Sequence, residues 1–306
     1  MKKFFLYFTI FIVFLCMLFF CFWVHKQIHK SEKVEIVFTT DINYKDYLKV
    51  AINSAIKNKN RDTKYNINIV GVDLDKNNLN EYKSFETENV KINLVPVSLK
   101  MLDGIGMYKI KYHVTRADLF KFIVPDLFPA LDKILYIDAD TVILKDLSDL
   151  YNTDIGNKYI GVVHKSDPKY IWKKHLWHWK HYLQPDYNCG VILYNLKMWR
   201  KNNIKNLLIE QKNRDKNRKL MTQSSFNNVL DSDKVYYISP VYNFLSQWNS
   251  KMFERNQFKK IYKPYLNKIN SFEELYNQAV IIHYADKDKP WNSHVNYSQL
   301  WWRYKE

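Results

Sequence analysis

Three patterns of apolar and polar positions divide the chain. Residues 4–24, FFLYFTIFIVFLCMLFFCFWV, are apolar throughout and carry no charge. At ~1.5 Å per residue such a run is long enough to cross a bilayer as one helix. Phe22, Trp23, Val24 and His25 stand where a cleavable signal peptide needs small residues. The pattern therefore predicts an uncleaved transmembrane anchor over 4–24 and a juxtamembrane linker over 25–33. Lys2 and Lys3 precede the span and Lys26, Lys30 and Lys33 follow it, a slight bias toward a cytoplasmic position for the rest of the chain.

From Val34 onward, β-rich runs alternate with helical patterns: VEIVFTT, YNINIVGV, VKINLVPV, KILYID, YIGVV, GVILYN and VIIHY are the runs. This alternation predicts a mainly parallel α/β sheet. Between the first two, Tyr44, Leu48, Ala51 and Ala55 recur on one helical face, predicting a helix that covers the sheet. Ser271 stands three residues before Glu274, a capping-box spacing that predicts a helix leading into VIIHY. With no repeat and no Pro- or Gly-rich linker, the reading is one domain over 34–292 and a basic aromatic tail over 293–306. The tail's WWRYKE suits a bilayer interface and domain packing equally.

The third pattern is ILYIDADTVIL, residues 134–144, where Asp138 and Asp140 interrupt an apolar run. Side chains two apart on a strand share a face, so the two carboxylates point the same way. They would repel unless a cation lies between them, and a hard divalent ion such as Mg²⁺ or Mn²⁺ prefers such oxygen ligands. Two enzyme classes fit: a nucleotide-sugar transferase with a D-x-D metal site, and a haloacid-dehalogenase-like phosphatase, whose D-x-D-x-[TV] pattern DADTV also satisfies. The phosphatase family places its motif near the domain start and needs a later G-D-x-x-x-D. Here about a hundred domain residues come first, and no such pattern follows.

Composition adds little. The formal charge is +16, from 47 Lys and Arg against 31 acids. The cations are dispersed and match no nucleic-acid-binding motif, so no nucleic-acid partner is expected. Cys16, Cys21 and Cys189 are the only cysteines, which excludes a disulfide framework and a Cys-rich zinc site.

FTTDINY (38–44), ILYIDADTVILKDLSDLY, DYNCGVILYNLKMWR (186–200) and HYADKDKPW (283–291), in this order, resemble glycosyltransferase family 8, particularly bacterial galactosyl- and glucosyltransferases of lipopolysaccharide cores. The resemblance implies a GT-A fold, a Rossmann-like nucleotide-diphospho-sugar domain, and retaining transfer of a hexose from a UDP-sugar to a glycan or glycolipid acceptor. It further implies that Asp138, Asp140 and His283 bind Mn²⁺ or Mg²⁺. Thr39, Asp41, Asn43 and Tyr44 would hold the uridine, Lys121 the donor sugar and phosphate, Lys289 the diphosphate, and Asn188 and Gly190 the sugar. Trp291 would close the site, and Gln223 would lie beneath the anomeric carbon. Asp41 has an ordinary alternative role in capping a helix.

Three departures from the family pattern stand out. Thr222 and Ser224 replace the acids that flank the glutamine, Asp286 replaces a glycine before KPW, and the membrane segment is N-terminal. The first two leave open a decayed transferase that only binds glycan or nucleotide. UDP-sugars are cytoplasmic in bacteria, so the expected location is the inner membrane with the catalytic domain in the cytoplasm, or the Golgi or ER lumen in a eukaryote.

Overall fold

The computed structural model describes residues 33–106, 116–165, 187–214, 222–266 and 269–305, together with Ile12 and Met17. The anchor expected over 4–24 and its linker fall outside these residues apart from Ile12, Met17 and Lys33. No helix among the described residues is long and apolar enough to cross a membrane.

Seven strands form the main sheet: β1 (Lys33–Thr40), β2 (Lys64–Val72), β3 (Val90–Val97), β4 (Lys133–Ile137), β6 (Ile160–His164), β7 (Tyr187–Asn195) and β8 (Val235–Tyr237), in the order β3-β2-β1-β4-β7-β6-β8. β1 pairs in parallel with β2 and β4, and β2 with β3. The chain thus runs outward from β1 to β3 and returns to β1's other side as β4. In an open α/β sheet that reversal opens a crevice at the carboxyl ends of the two strands.

Two expectations need correction. The sheet is parallel only in part, because β7 runs antiparallel to both β4 and β6. β7 is buried along nearly its whole length, and a strand covered on both faces shows the same unbroken apolar run in either direction. VIIHY, meanwhile, does not join this sheet. As β10 (Ile281–His283) it lies between β5 (Thr141–Ile143) and β9 (Phe244–Leu245) in a separate three-stranded sheet.

Helix α1 (Lys45–Asn58) buries Leu48, Ala51 and Ala55 as its periodicity requires. Helix α2 (Phe120–Leu127) packs on the other face of the main sheet, where Phe120, Phe122 and Val124 join a second apolar layer with Val37 and Tyr136. Helix α3 (Thr222–Val229) joins that layer through Phe226. Ahead of α4 (Phe272–Gln278), Ser271 Oγ accepts from Glu274 N at 3.1 Å, but Glu274 reaches back to Asn270 N rather than to Ser271. In α5 (Ser298–Lys305), Trp301 is buried in the core and Trp302 is exposed, so the paired tryptophans divide between packing and solvent.

Candidate functional site

β1 delivers Thr39, Thr40 and Asp41 to the crevice at the strand reversal. There Asp41 Oδ1 accepts from the backbone N–H groups of Asn43 (2.9 Å) and Tyr44 (3.2 Å), capping the turn that opens into α1. The turn aims Tyr44 into the crevice and leaves Asn43 exposed. Burial, and then the charges of Asp140 and Asp138, push the Tyr44 phenol well above its ordinary pKa. Tyr47 stacks on Trp291 with ring centroids 3.8 Å apart, and both meet Tyr44 edge-on, so Trp291 braces this wall.

β4 ends at Ile137, so Asp138 and Asp140 lie in the corner where the chain leaves the main sheet for β5, not within a strand as the alternation argument assumed. Their carboxylates still converge. Thr141 pairs with His283 across β5 and β10, which places the imidazole over the acids. His283 Nε2 stands 3.2 Å from Asp140 Oδ1 and 3.8 Å from Asp138 Oδ2.

Each acid also holds one lysine. Lys121 Nζ lies 2.9 Å from Asp138 Oδ1 and 2.6 Å from Asp118 Oδ1, and the Tyr136 hydroxyl donates to Asp138 at 2.7 Å. Lys289 Nζ donates to Asp140 Oδ2 and to the Tyr284 carbonyl, both at 2.6 Å. Burial alone would lower the Lys121 pKa, but Asp118 and Asp138 overcome it and hold the ammonium well above its ordinary value. Burial alone would raise the Asp140 carboxyl, but the Lys289 ammonium beside it overcomes this and holds it well below the usual carboxylate range. The buried Asp140 carboxylate is thus kept ionised.

On the far wall, β7 supplies Asn188 and Gly190. Asn188 Oδ1 accepts from Gly190 N and from Asn243 Nδ2, each at 2.8 Å, and Asn188 Nδ2 donates to Gln223 Oε1 at 3.4 Å. Asn243 Oδ1 lies 2.9 Å from His283 Nδ1. The bare Cα of Gly190 makes room for the His283 ring.

A profile of glycosyl transferase family 8 matches residues 35–294, the whole stretch that builds both sheets and the cleft. The chain belongs to glycosyl transferase family 8. Glycosyltransferase GlyE of Streptococcus pneumoniae is 26% identical over 196 residues, 63% of this chain and 42% of its own length. General stress protein A of Bacillus subtilis is 24% identical over 277 residues, 88% of this chain and 91% of its own. This chain spans about half the length of the streptococcal relatives GlyE and GlyF. The solved structure of galactosyltransferase LgtC in complex with donor and acceptor sugar analogs superposes with a TM-score of 0.73 at 21% identity, covering 89% of this chain and 95% of that one. The fold is therefore the GT-A-like α/β glycosyltransferase fold.

Among the residues that the family 8 resemblance singled out, Thr39, Asp41, Tyr44, Lys121, Asp138, Asp140, Asn188, Gly190, Gln223, His283 and Lys289 line one cavity, and Asn43 and Trp291 do not. One oxygen of each aspartate and one His283 nitrogen lie within 4.8 Å of one another. Two carboxylates with a single imidazole fit a hard or borderline divalent ion and lack the thiolates of a structural zinc site. The departures are displaced from this centre. Thr222 is buried, Asp286 is exposed without a positive φ, and neither lines the cavity, nor does Ser224.

Three site residues were not anticipated. Asp118 sits at helical spacing from Lys121, and Tyr136 alternates with Asp138, so both carried a local signal. Asn243 carried none.

Proposed function

We infer that this family 8 protein is a membrane-anchored retaining transferase that moves a hexose, glucose or galactose, from a UDP-sugar to a cell-envelope glycan such as a lipopolysaccharide core. The observation that carries the reading is the convergence of Asp138, Asp140 and His283 at the strand reversal, beside a buried lysine on each side. Asp138, Asp140 and His283 would hold Mn²⁺ or Mg²⁺, which when bound supplies positive charge to the departing diphosphate. Lys289 sits where it can exchange its Asp140 contact for a phosphate oxygen, and its compact ammonium suits that role. Thr39, Asp41 and Tyr44 form the nucleoside end of the cleft, and Asn188, Gly190 and Gln223 the sugar end.

The Gln223 amide is a weak nucleophile, and its neighbours Thr222 and Ser224 offer no carboxylate. This favours attack from the face that the diphosphate leaves: the acceptor oxygen bonds to the anomeric carbon, the carbon–diphosphate bond breaks, and a diphosphate oxygen takes the acceptor proton. The apolar run over 4–24 supports tethering to the bacterial inner membrane with the domain in the cytoplasm, where UDP-sugars are made.

Release of UDP from UDP-glucose or UDP-galactose, with Mn²⁺ and with chelator, tests the reading. Metal-dependent turnover of either donor is expected. Nucleotide binding without turnover of any UDP-sugar would instead favour a decayed, binding-only domain.

A further inference from the structure

We propose that Asn243 is a positioning residue for the metal site: it fixes His283 in the tautomer that presents Nε2 to Asp138 and Asp140, and it ties that ligand to the sugar-side amides. The inference rests on the reading of Asp138, Asp140 and His283 as a divalent-metal site.

The polarity of the hydrogen bonds carries the argument. Amide side chains and imidazoles can be turned either way, so a network of them has a direction only where something of fixed sense anchors it. That anchor is the Gly190 backbone N–H, which can only donate. It points at Asn188 Oδ1 at 2.8 Å, so the Asn188 oxygen, not its NH₂, faces Gly190. Asn243 lies 2.8 Å from this same oxygen and must therefore offer its NH₂. Its own Oδ1 then faces His283 Nδ1 at 2.9 Å, and an amide oxygen there can only accept. His283 Nδ1 consequently carries a hydrogen, and in the neutral ring, the form that binds a metal, Nε2 is the nitrogen left to offer a lone pair. Nε2 is the atom that stands 3.2 Å from Asp140 and 3.8 Å from Asp138.

The choice of residue makes chemical sense. Metal-binding histidines are commonly oriented by a carboxylate or a carbonyl behind the ring. This cleft already holds Asp41, Asp118, Asp138 and Asp140. A neutral amide supplies the acceptor without a fifth negative charge, and its NH₂ is left over to reach Asn188. Asn188 then turns the Gln223 carbonyl oxygen toward itself at 3.4 Å. Asn243 is wholly buried and directs its side chain at these two site residues. Its backbone enters β9, whose Leu245 pairs with His283, so the amide and the imidazole are held by adjacent strands.

The test uses the full chain. Spectra of metal-free protein labelled with ¹⁵N-histidine, recorded at a pH high enough for the ring to be neutral and with His283 assigned by its loss in His283→Gln, should show the Nδ1–H tautomer. Mn²⁺ affinity, read from the free-ion paramagnetic resonance signal, should fall about 10–100-fold in Asn243→Leu, the range for lost partners behind a ligating histidine. Asn243→Asp keeps an acceptor for Nδ1–H and should bind Mn²⁺ far more tightly than Asn243→Leu. An Nε2–H tautomer in the unsubstituted protein overturns the proposal, as do equal losses of affinity in the two variants. Should the unsubstituted protein bind neither Mn²⁺ nor Mg²⁺, the metal-site reading fails, and the spectra still decide the tautomer.

Discussion

A β carbon placed on Gly190 would fall 2.0 Å from Cε1 of His283 and 2.5 Å from its Nδ1. No real contact is that short, so strand β7 and the imidazole are in closest packing and only glycine leaves the ring its position. Gly190→Ala must push His283 away from Asp138 and Asp140. Mn²⁺ affinity is expected to drop at least tenfold, while overpacking costs about 1–3 kcal/mol of stability. Calorimetric metal titration beside a denaturant melt separates the two effects.

Lys289 is the internal counter-ion of Asp140. Replacing it with Met leaves a buried carboxylate without its ammonium, a change that typically costs about 3–5 kcal/mol. A divalent ion can restore part of that charge balance. Lys289→Met should therefore melt lower than the parent protein, gain more than the parent on addition of Mn²⁺, and bind UDP more weakly. Thermal melts with and without metal check the first two outcomes, and UDP titration checks the third.

His164 is buried at the end of β6, and burial lowers its pKa to about 4. The unfolded chain takes up this proton near pH 6.5, whereas the folded one refuses it until about pH 4. Stability from this residue is intact above pH 6.5 and is lost as the pH falls through that window, by about 3 kcal/mol in all. Urea unfolding at pH 7, 5.5 and 4.5 should show the decline, and His164→Phe should remove this component of it.

Trp291 stacks on Tyr47 and meets Tyr44 edge-on, outside the cavity that Tyr44 lines. Trp291→Ala is expected to cost about 1–2 kcal/mol of stability and to weaken UDP binding through the loosened Tyr44, with Mn²⁺ affinity unchanged. Parallel titrations of metal and nucleotide distinguish this from general unfolding, which would weaken both.

Local pattern revealed the parts of this molecule whose causes are local. The apolar, β-rich runs of β1 to β4 and the helical stripe of α1 were readable because burial imposes them residue by residue. The acid pair stood out because charge inside an apolar run demands a reason. What escaped the sequence is what the chain decides at a distance. The direction of β7 leaves no trace in a strand covered on both faces, and β10 reads as a strand whichever sheet receives it. Asn243 meets His283 across 40 residues and Asn188 across 55, with no periodicity or charge to mark it. His283 and Lys289 were legible only through the motif around them, since Lys289 reaches Asp140 across 149 residues.

The Trp302 indole donates to the Pro290 carbonyl at 3.1 Å, and Trp301 packs 5.5 Å from Trp291, so α5 clasps the segment that carries Lys289. During synthesis the growing polypeptide displays its acid pair more than a hundred residues before it can place Lys289 or close that clasp. A ribosome-bound precursor therefore has the two carboxylates but no finished cleft. The cleft is complete only once the segment that carries Lys289 has joined the acids.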